Sequence, residues 1–73
     1  MILEKVKEII SEQLNINPEE ISEGTAFEDL GADSLDLFQV ISEIEDQWNI
    51  RIDEVEKIKT VADVVNFIEK NIQ

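Results

Sequence analysis

Cysteine, histidine and tyrosine are all missing from this 73-residue chain, and each absence removes a class of chemistry. Without Cys there are no disulfides to staple a small fold and no thiolate ligands for a metal. Without His the usual general base, the Ser–His nucleophile pair and most transition-metal sites are gone. Candidate catalysts shrink to carboxylates, Ser, Thr and Lys. Paired carboxylates that hydrolyse glycosides need a cleft enclosing a sugar, which a chain this short does not build. The chain is therefore read as non-catalytic. Basic residues are scarce as well, six Lys and Arg against eighteen Asp and Glu, for a net charge of −12. That surplus argues against nucleic acid and anionic membranes, both of which need cationic partners, and in favour of a basic protein partner. No apolar run approaches the ~20 residues needed to span a bilayer. The opening eight residues are amphipathic rather than signal-like. A cytoplasmic chain with no membrane insertion is expected.

What is present suffices for one small domain over residues 1–73. Hydrophobic residues make up 42% of the chain, which argues against disorder even at this charge. A domain near this size buries roughly 60% of its unfolded surface and is only marginally stable.

The apolar residues fall into helical stripes. Ile2, Leu3, Val6, Ile9, Ile10 and Leu14 recur at spacings of three and four, with charged and amide residues between them, which predicts an amphipathic helix over 2–14. Asn15 and Asn17-Pro18 stop it, and Asn17 can cap a short turn with Pro18 at its first position. Residues 15–33 form a long connection holding both glycines, Gly24 and Gly31. It also holds Ile16, Ile21, Phe27 and Leu30, too many apolar groups for a solvated linker. These four side chains are expected to tuck against the bundle, and loops of such length are often functional. From Asp33 the periodicity returns. Leu37, Val40, Ile41, Ile44 and Trp48 fall within an arc of about 100° and should face the core. Asp33 can cap this helix, with Ser34 first and Asp36 third, and the helix ends near Trp48-Asn49. Asp53-Glu54-Val55-Glu56 has capping-box spacing and predicts a turn or two of helix before Lys59. Thr60 caps a last helix, with Val61, Val64, Val65, Ile68 and Ile72 on one stripe and Asp63 in its first turn. No β-alternation, repeat or low-complexity tract competes. The sum is all-α, a small four-helix bundle of three main helices plus one short helix, with a long loop between the first and second.

Few residues then remain to carry chemistry. The calcium-loop pattern fails when begun at Asp29, because Gly31 and Ser34 occupy its third and sixth positions. No metal site is assigned, although weak surface binding of divalent cations to clustered acids stays open. One string stands out, Leu30-Gly31-Ala32-Asp33-Ser34-Leu35-Asp36. A Gly-containing loop delivers a Ser to the first turn of a helix, where unpaired backbone N–H groups favour an anion on or near that hydroxyl. Ordinary capping would explain the Ser or the Asp taken alone, so the functional case rests on the whole string. Charge adds a second clue. Between Lys7 and Arg51 there is no Lys or Arg but there are twelve acids. These form either a solvated face that keeps the protein soluble or a docking surface for basic patches, and composition does not choose between them.

Taken together, the chain resembles an acyl carrier protein of the dissociated (type II) fatty-acid synthase kind. The likeness runs through the first helix, the long loop, Gly-Ala-Asp-Ser-Leu-Asp, the second helix, a short third helix and the Lys-Thr-Val start of the last. It implies that Ser34 is esterified to 4′-phosphopantetheine by a holo-acyl-carrier-protein synthase using coenzyme A. The arm's thiol, which the chain itself lacks, would then carry acyl groups as thioesters between fatty-acid synthase enzymes, and the carrier would be a monomer. Asp33, Leu35 and Asp36 would support attachment, and Asp33 matches a residue that helps hold the metal ion used in the transfer. Leu35, Asp36, Phe38, Gln39, Ser42, Glu45 and Asp46 match positions that recognise partners. Helical projection agrees in part: Asp46, Gln39, Ser42, Phe38 and Glu45 lie within about 80° of Leu35, roughly opposite the core arc. Leu35 and Phe38 are therefore expected to be partly exposed, against the usual burial of a helical Phe. An attached chain is expected to enter between the second helix and the Ile52–Ile68 region. There are two departures from the family pattern. Gln39 stands where the family has an acid and Ser42 where it has a larger apolar residue, and the segment from Trp48 to Ile58 is about two residues short and lacks a Pro. These keep open a specialised carrier for a polyketide or lipid-tailoring pathway, beside an acidic interaction module without a prosthetic group and a small cation-binding protein.

Overall fold

The computed structural model describes residues 2–72. Three α-helices, α1 (Ile2–Leu14), α2 (Ser34–Trp48) and α3 (Val61–Asn71), are joined by connections that hold 3-10 turns at Pro18–Glu20, Phe27–Leu30 and Val55–Lys57. Each helix starts and stops where local chemistry directs. Asp33 caps α2 and Thr60 caps α3, each in a reciprocal capping box with the residue three positions on, Asp36 and Asp63. Helices α1 and α2 both end on an asparagine in the left-handed conformation, Asn15 at φ 57° and Asn49 at φ 55°. Asn is second only to Gly in tolerating that geometry. Asn17 caps the Pro18–Glu20 turn by accepting from the Glu19 N–H at 3.0 Å.

Packing is built on α1, which lies against both α2 and α3, while α2 and α3 make no comparably extensive contact with each other. The buried core takes Val6, Ile9 and Ile10 from α1, Val40, Ile41 and Ile44 from α2, and Val61, Val64 and Ile68 from α3. Ile21, Phe27, Ile52 and Ile58 complete it from the connections. Ile16 and Leu30 of the long connection, with Leu37 and Trp48 of α2, pack half-buried against its edge. The shortest dimension of the molecule is 19 Å, about two helix diameters, so this interior is one side-chain layer deep. No polar or charged side chain is buried among the described residues.

Two expectations change. The short fourth helix is there as the expected turn, a single one of 3-10 type, at Val55–Lys57. Ile52, Val55 and Ile58 recur every three residues, and a spacing of three suits a structure with three residues per turn. Asp53 does not cap it: the residue before the turn is Glu54, and no side chain accepts a capping hydrogen bond there. Ile72 does not extend the buried stripe of α3. The helix ends at Asn71, one residue short of it, and Ile72 is 47% exposed. The long connection is also tied down by contacts that periodicity did not reveal. The N–H groups of Phe27, Val61 and Ala62 donate to the carbonyls of Lys59, Thr25 and Glu23 at 2.9, 3.0 and 2.9 Å. An antiparallel bridge joins Ala26 to Thr60. Residues 23–27 are thus fastened to the start of α3.

Candidate functional site

That fastening positions the approach to Ser34. The Phe27–Leu30 turn closes on Gly31, which sits at φ +76°, a conformation that costs an L-residue roughly 1–2 kcal/mol. Its N–H returns to the carbonyls of Glu28 and Phe27. The chain then reverses through Ala32 and Asp33 and opens α2 with Ser34 exposed. Around the hydroxyl the acids are oriented by the helix itself. Asp33 Oδ1 accepts from the Asp36 N–H at 3.0 Å, and Asp36 Oδ2 accepts from the Asp33 N–H at 3.4 Å. The capping box occupies these carboxylate oxygens, while the N–H groups of Ser34 and Leu35, at the first two positions, have no intrahelical acceptor. Ser34 therefore presents an oxygen at the electropositive end of a fifteen-residue helix.

The residues after Ser34 divide by face as projected. Leu35 and Phe38 are 71% and 54% exposed, and Gln39, Ser42 and Asp46 also face solvent. Asp36 is half-buried by its capping role. Glu45 differs: it is half-buried, and its Oε2 accepts from the Ile52 N–H at 2.8 Å. In the projection it sits at the edge of the exposed face nearest the core arc, so its carboxylate reaches the linker after α2. Sequence spacing carries no signal for that bond, because the linker's path is set by the burial of Ile52 and Ile58.

Two clefts flank Ser34. One, of about 340 Å³, lies between α2 and the Val55–Lys57 turn and is walled by Leu37, Phe38, Val55, Glu56 and Ile58. The other, of about 390 Å³, runs beneath the Phe27–Leu30 turn and is bordered by Ala26, Phe27, Ala32, Ile58 and Lys59. Among the described residues there is no group of three acids placed to hold a metal ion, and no helix is long and apolar enough to cross a membrane.

The fold and site define a small helical bundle with an exposed hydroxyl at a capped helix start, between two mainly apolar clefts. Comparison with known proteins identifies its family. A family model described as the phosphopantetheine attachment site matches residues 4–68. The chain is 52% identical over 73 residues to the acyl carrier protein of Wolinella succinogenes, covering 96% of each chain. It is 47% identical over 70 residues to that of Lactococcus lactis subsp. cremoris, again covering 96% of each. Against the acyl carrier protein of Streptococcus pyogenes serotype M1 it is 52% identical over 69 residues, covering 94% of this chain and 93% of the relative. The chain belongs to the phosphopantetheine-attachment family, in which the protein is a carrier rather than a catalyst and the prosthetic group is 4′-phosphopantetheine.

Proposed function

We propose that residues 1–73 form one carrier domain that holds acyl groups on a 4′-phosphopantetheine arm at Ser34 and passes them among fatty-acid synthase enzymes in the cytoplasm. The observation that carries the assignment to this residue is the exposed hydroxyl at the first position of α2. A phosphodiester there lies next to unpaired amides and the positive end of the helix dipole, an environment suited to an anion. When bound, the arm supplies the thiol that holds cargo as a thioester. The chain's own residues do the rest. Asp33 and Asp36 fix the helix start, and Asp33 matches the family residue that helps hold the metal ion of the transfer reaction. Leu35 and Phe38, exposed and accompanied by Asp36, Glu45 and Asp46, form a face for basic patches on a holo-acyl-carrier-protein synthase and on the synthase enzymes. The cleft between α2 and Val55–Lys57 is the entry for the acyl chain, each CH₂ taken from water contributing about 0.8 kcal/mol. The carrier works as a monomer.

Exposure of Gln39 and Ser42 on the same face favours a narrower reading, a carrier dedicated to one tailoring or polyketide pathway. Both residues thin the charge and apolar area offered to general partners. Incubation with coenzyme A and a broad-specificity phosphopantetheinyl transferase, followed by mass spectrometry, tests the assignment. The chain is expected to gain the mass of one arm, located on Ser34 by fragmentation. Ser34→Ala is expected to gain none while changing stability by no more than about 0.5 kcal/mol, as for other surface substitutions. Modification of the Ser34→Ala chain would overturn the assignment.

A further inference from the structure

The two clefts beside Ser34 differ in charge. Glu56 is the only charged residue walling the cleft towards Val55 and Ile58. The cleft beneath the Phe27–Leu30 turn has Lys59 in its wall, the only base bordering either one. Bases are rare here, and none occurs between Lys7 and Arg51, so this one comes to border the same cleft as Ser34 through the fold rather than through sequence proximity. The Lys59 backbone is held on both sides. Its carbonyl accepts from the Phe27 N–H at 2.9 Å, and its N–H donates to Asp63 Oδ2 at 3.0 Å. Its ammonium forms neither of the close ion pairs among the described residues, which are Lys5–Glu8 and Lys57–Glu54; its one acidic neighbour of consequence is Asp63, whose carboxylate it helps hold ionised. Two acids border the same cleft, Glu28 and Asp33. The Asp33 carboxylate is turned to the Asp36 N–H.

Resting on the reading that Ser34 carries the arm, we infer that Lys59 is the counter-ion of the Ser34-linked phosphodiester. It draws the root of the acyl-free arm beneath the Phe27–Leu30 turn and leaves the cleft at Val55 to the acyl chain. The phosphodiester brings one negative charge at neutral pH, and Lys59 supplies the positive charge the cleft offers. The methyl groups of the arm next to its phosphate then lie on apolar wall supplied by Ala26, Phe27, Ala32 and Ile58. A positioning role of this kind predicts a change in where the arm lies, not in whether it is attached.

The test uses the full chain, isotope-labelled, loaded enzymatically with an unlabelled arm and checked by mass. Nuclear Overhauser contacts from the arm's methyl protons are expected at Phe27 and Ala32 and weak at Phe38 and Val55. Lys59→Gln should load fully yet lose these contacts by roughly 1.4- to 5-fold, the equilibrium factor an exposed ion pair sustains, and Lys59→Arg should keep them. Lys57→Gln, whose ammonium is already paired with Glu54 at 3.0 Å, should change nothing. The ³¹P resonance should differ between the loaded wild-type and Lys59→Gln chains at low salt and converge near 1 M, where the screening length falls to about 3 Å. A loaded chain whose arm contacts Phe38 and Val55, or whose contacts ignore Lys59→Gln, overturns this inference alone. A chain that gains no mass at Ser34 overturns the parent reading with it.

Discussion

The hydroxyl of Ser34 and the ring of Phe38 lie four residues apart, and both residues are exposed. Ser34 opens α2 directly after the reversal at Gly31, whereas Phe38 is exposed because its helical phase points away from the core arc. Both could be read from the sequence, the first from the Gly31–Asp36 string and the second from projection against Leu37, Val40, Ile41 and Ile44. Glu45 could not be read in this way. The same projection that placed it on the exposed face is blind to the Ile52 N–H it accepts from, seven positions away. The bond makes Glu45 the clamp of the linker after α2. Glu45→Ala leaves a part-buried N–H without its acceptor and is expected to destabilise the fold by about 1–3 kcal/mol. Glu45→Gln retains an acceptor oxygen and should cost less. Urea denaturation midpoints check the pair, and an unchanged midpoint for the alanine variant would contradict the clamp.

The helix limits were largely legible because capping is local. Asp33, Thr60 and Asn49 sit within a turn of the apolar periodicity they bound. The pairing of residues 23–27 with 59–62 was not, because it joins segments more than thirty positions apart that carry no strand-like alternation. The two meet at the Thr60–Asp63 box. There the N–H groups of Lys59 and Thr60 donate to the Asp63 carboxylate and hold its pKa below the usual carboxylate range. A carboxyl held lower in the folded chain than in the unfolded one adds stability above about pH 4 and loses it as pH falls through the lowered value. Melting temperature measured from pH 6 downwards should therefore fall less steeply at its acid end in Asp63→Asn than in wild type. Thr60→Ala, which removes the reciprocal half of the box, should cost about 1 kcal/mol near neutral pH.

At the scale of the molecule, a net charge of −12 is spread over a body 29 × 24 × 19 Å. In ~0.01 M salt the screening length of about 30 Å spans the whole of it, so nearly every acid repels every other; at ~1 M only neighbours interact. Melting temperature should rise with added sodium chloride, by about 4–8 °C for each kcal/mol of repulsion relieved in a domain this small. A flat profile would show that the acids are locally balanced. Composition revealed this global repulsion, but not that Lys59, one of the few cations, borders the cleft at Ser34. The interior sets one further constraint. Apart from Phe27, every fully enclosed side chain is valine or isoleucine, whose branching at Cβ leaves essentially one χ1 rotamer within a helix. Leucine or methionine side chains have more rotamers with which to make way for a guest; valine and isoleucine in a helix have fewer. Room inside is therefore expected from displacement of a backbone segment rather than from side-chain rotation, and the stretch from Ile50 to Ile58, which holds one 3-10 turn and no α-helix, is the wall with least regular structure to resist it.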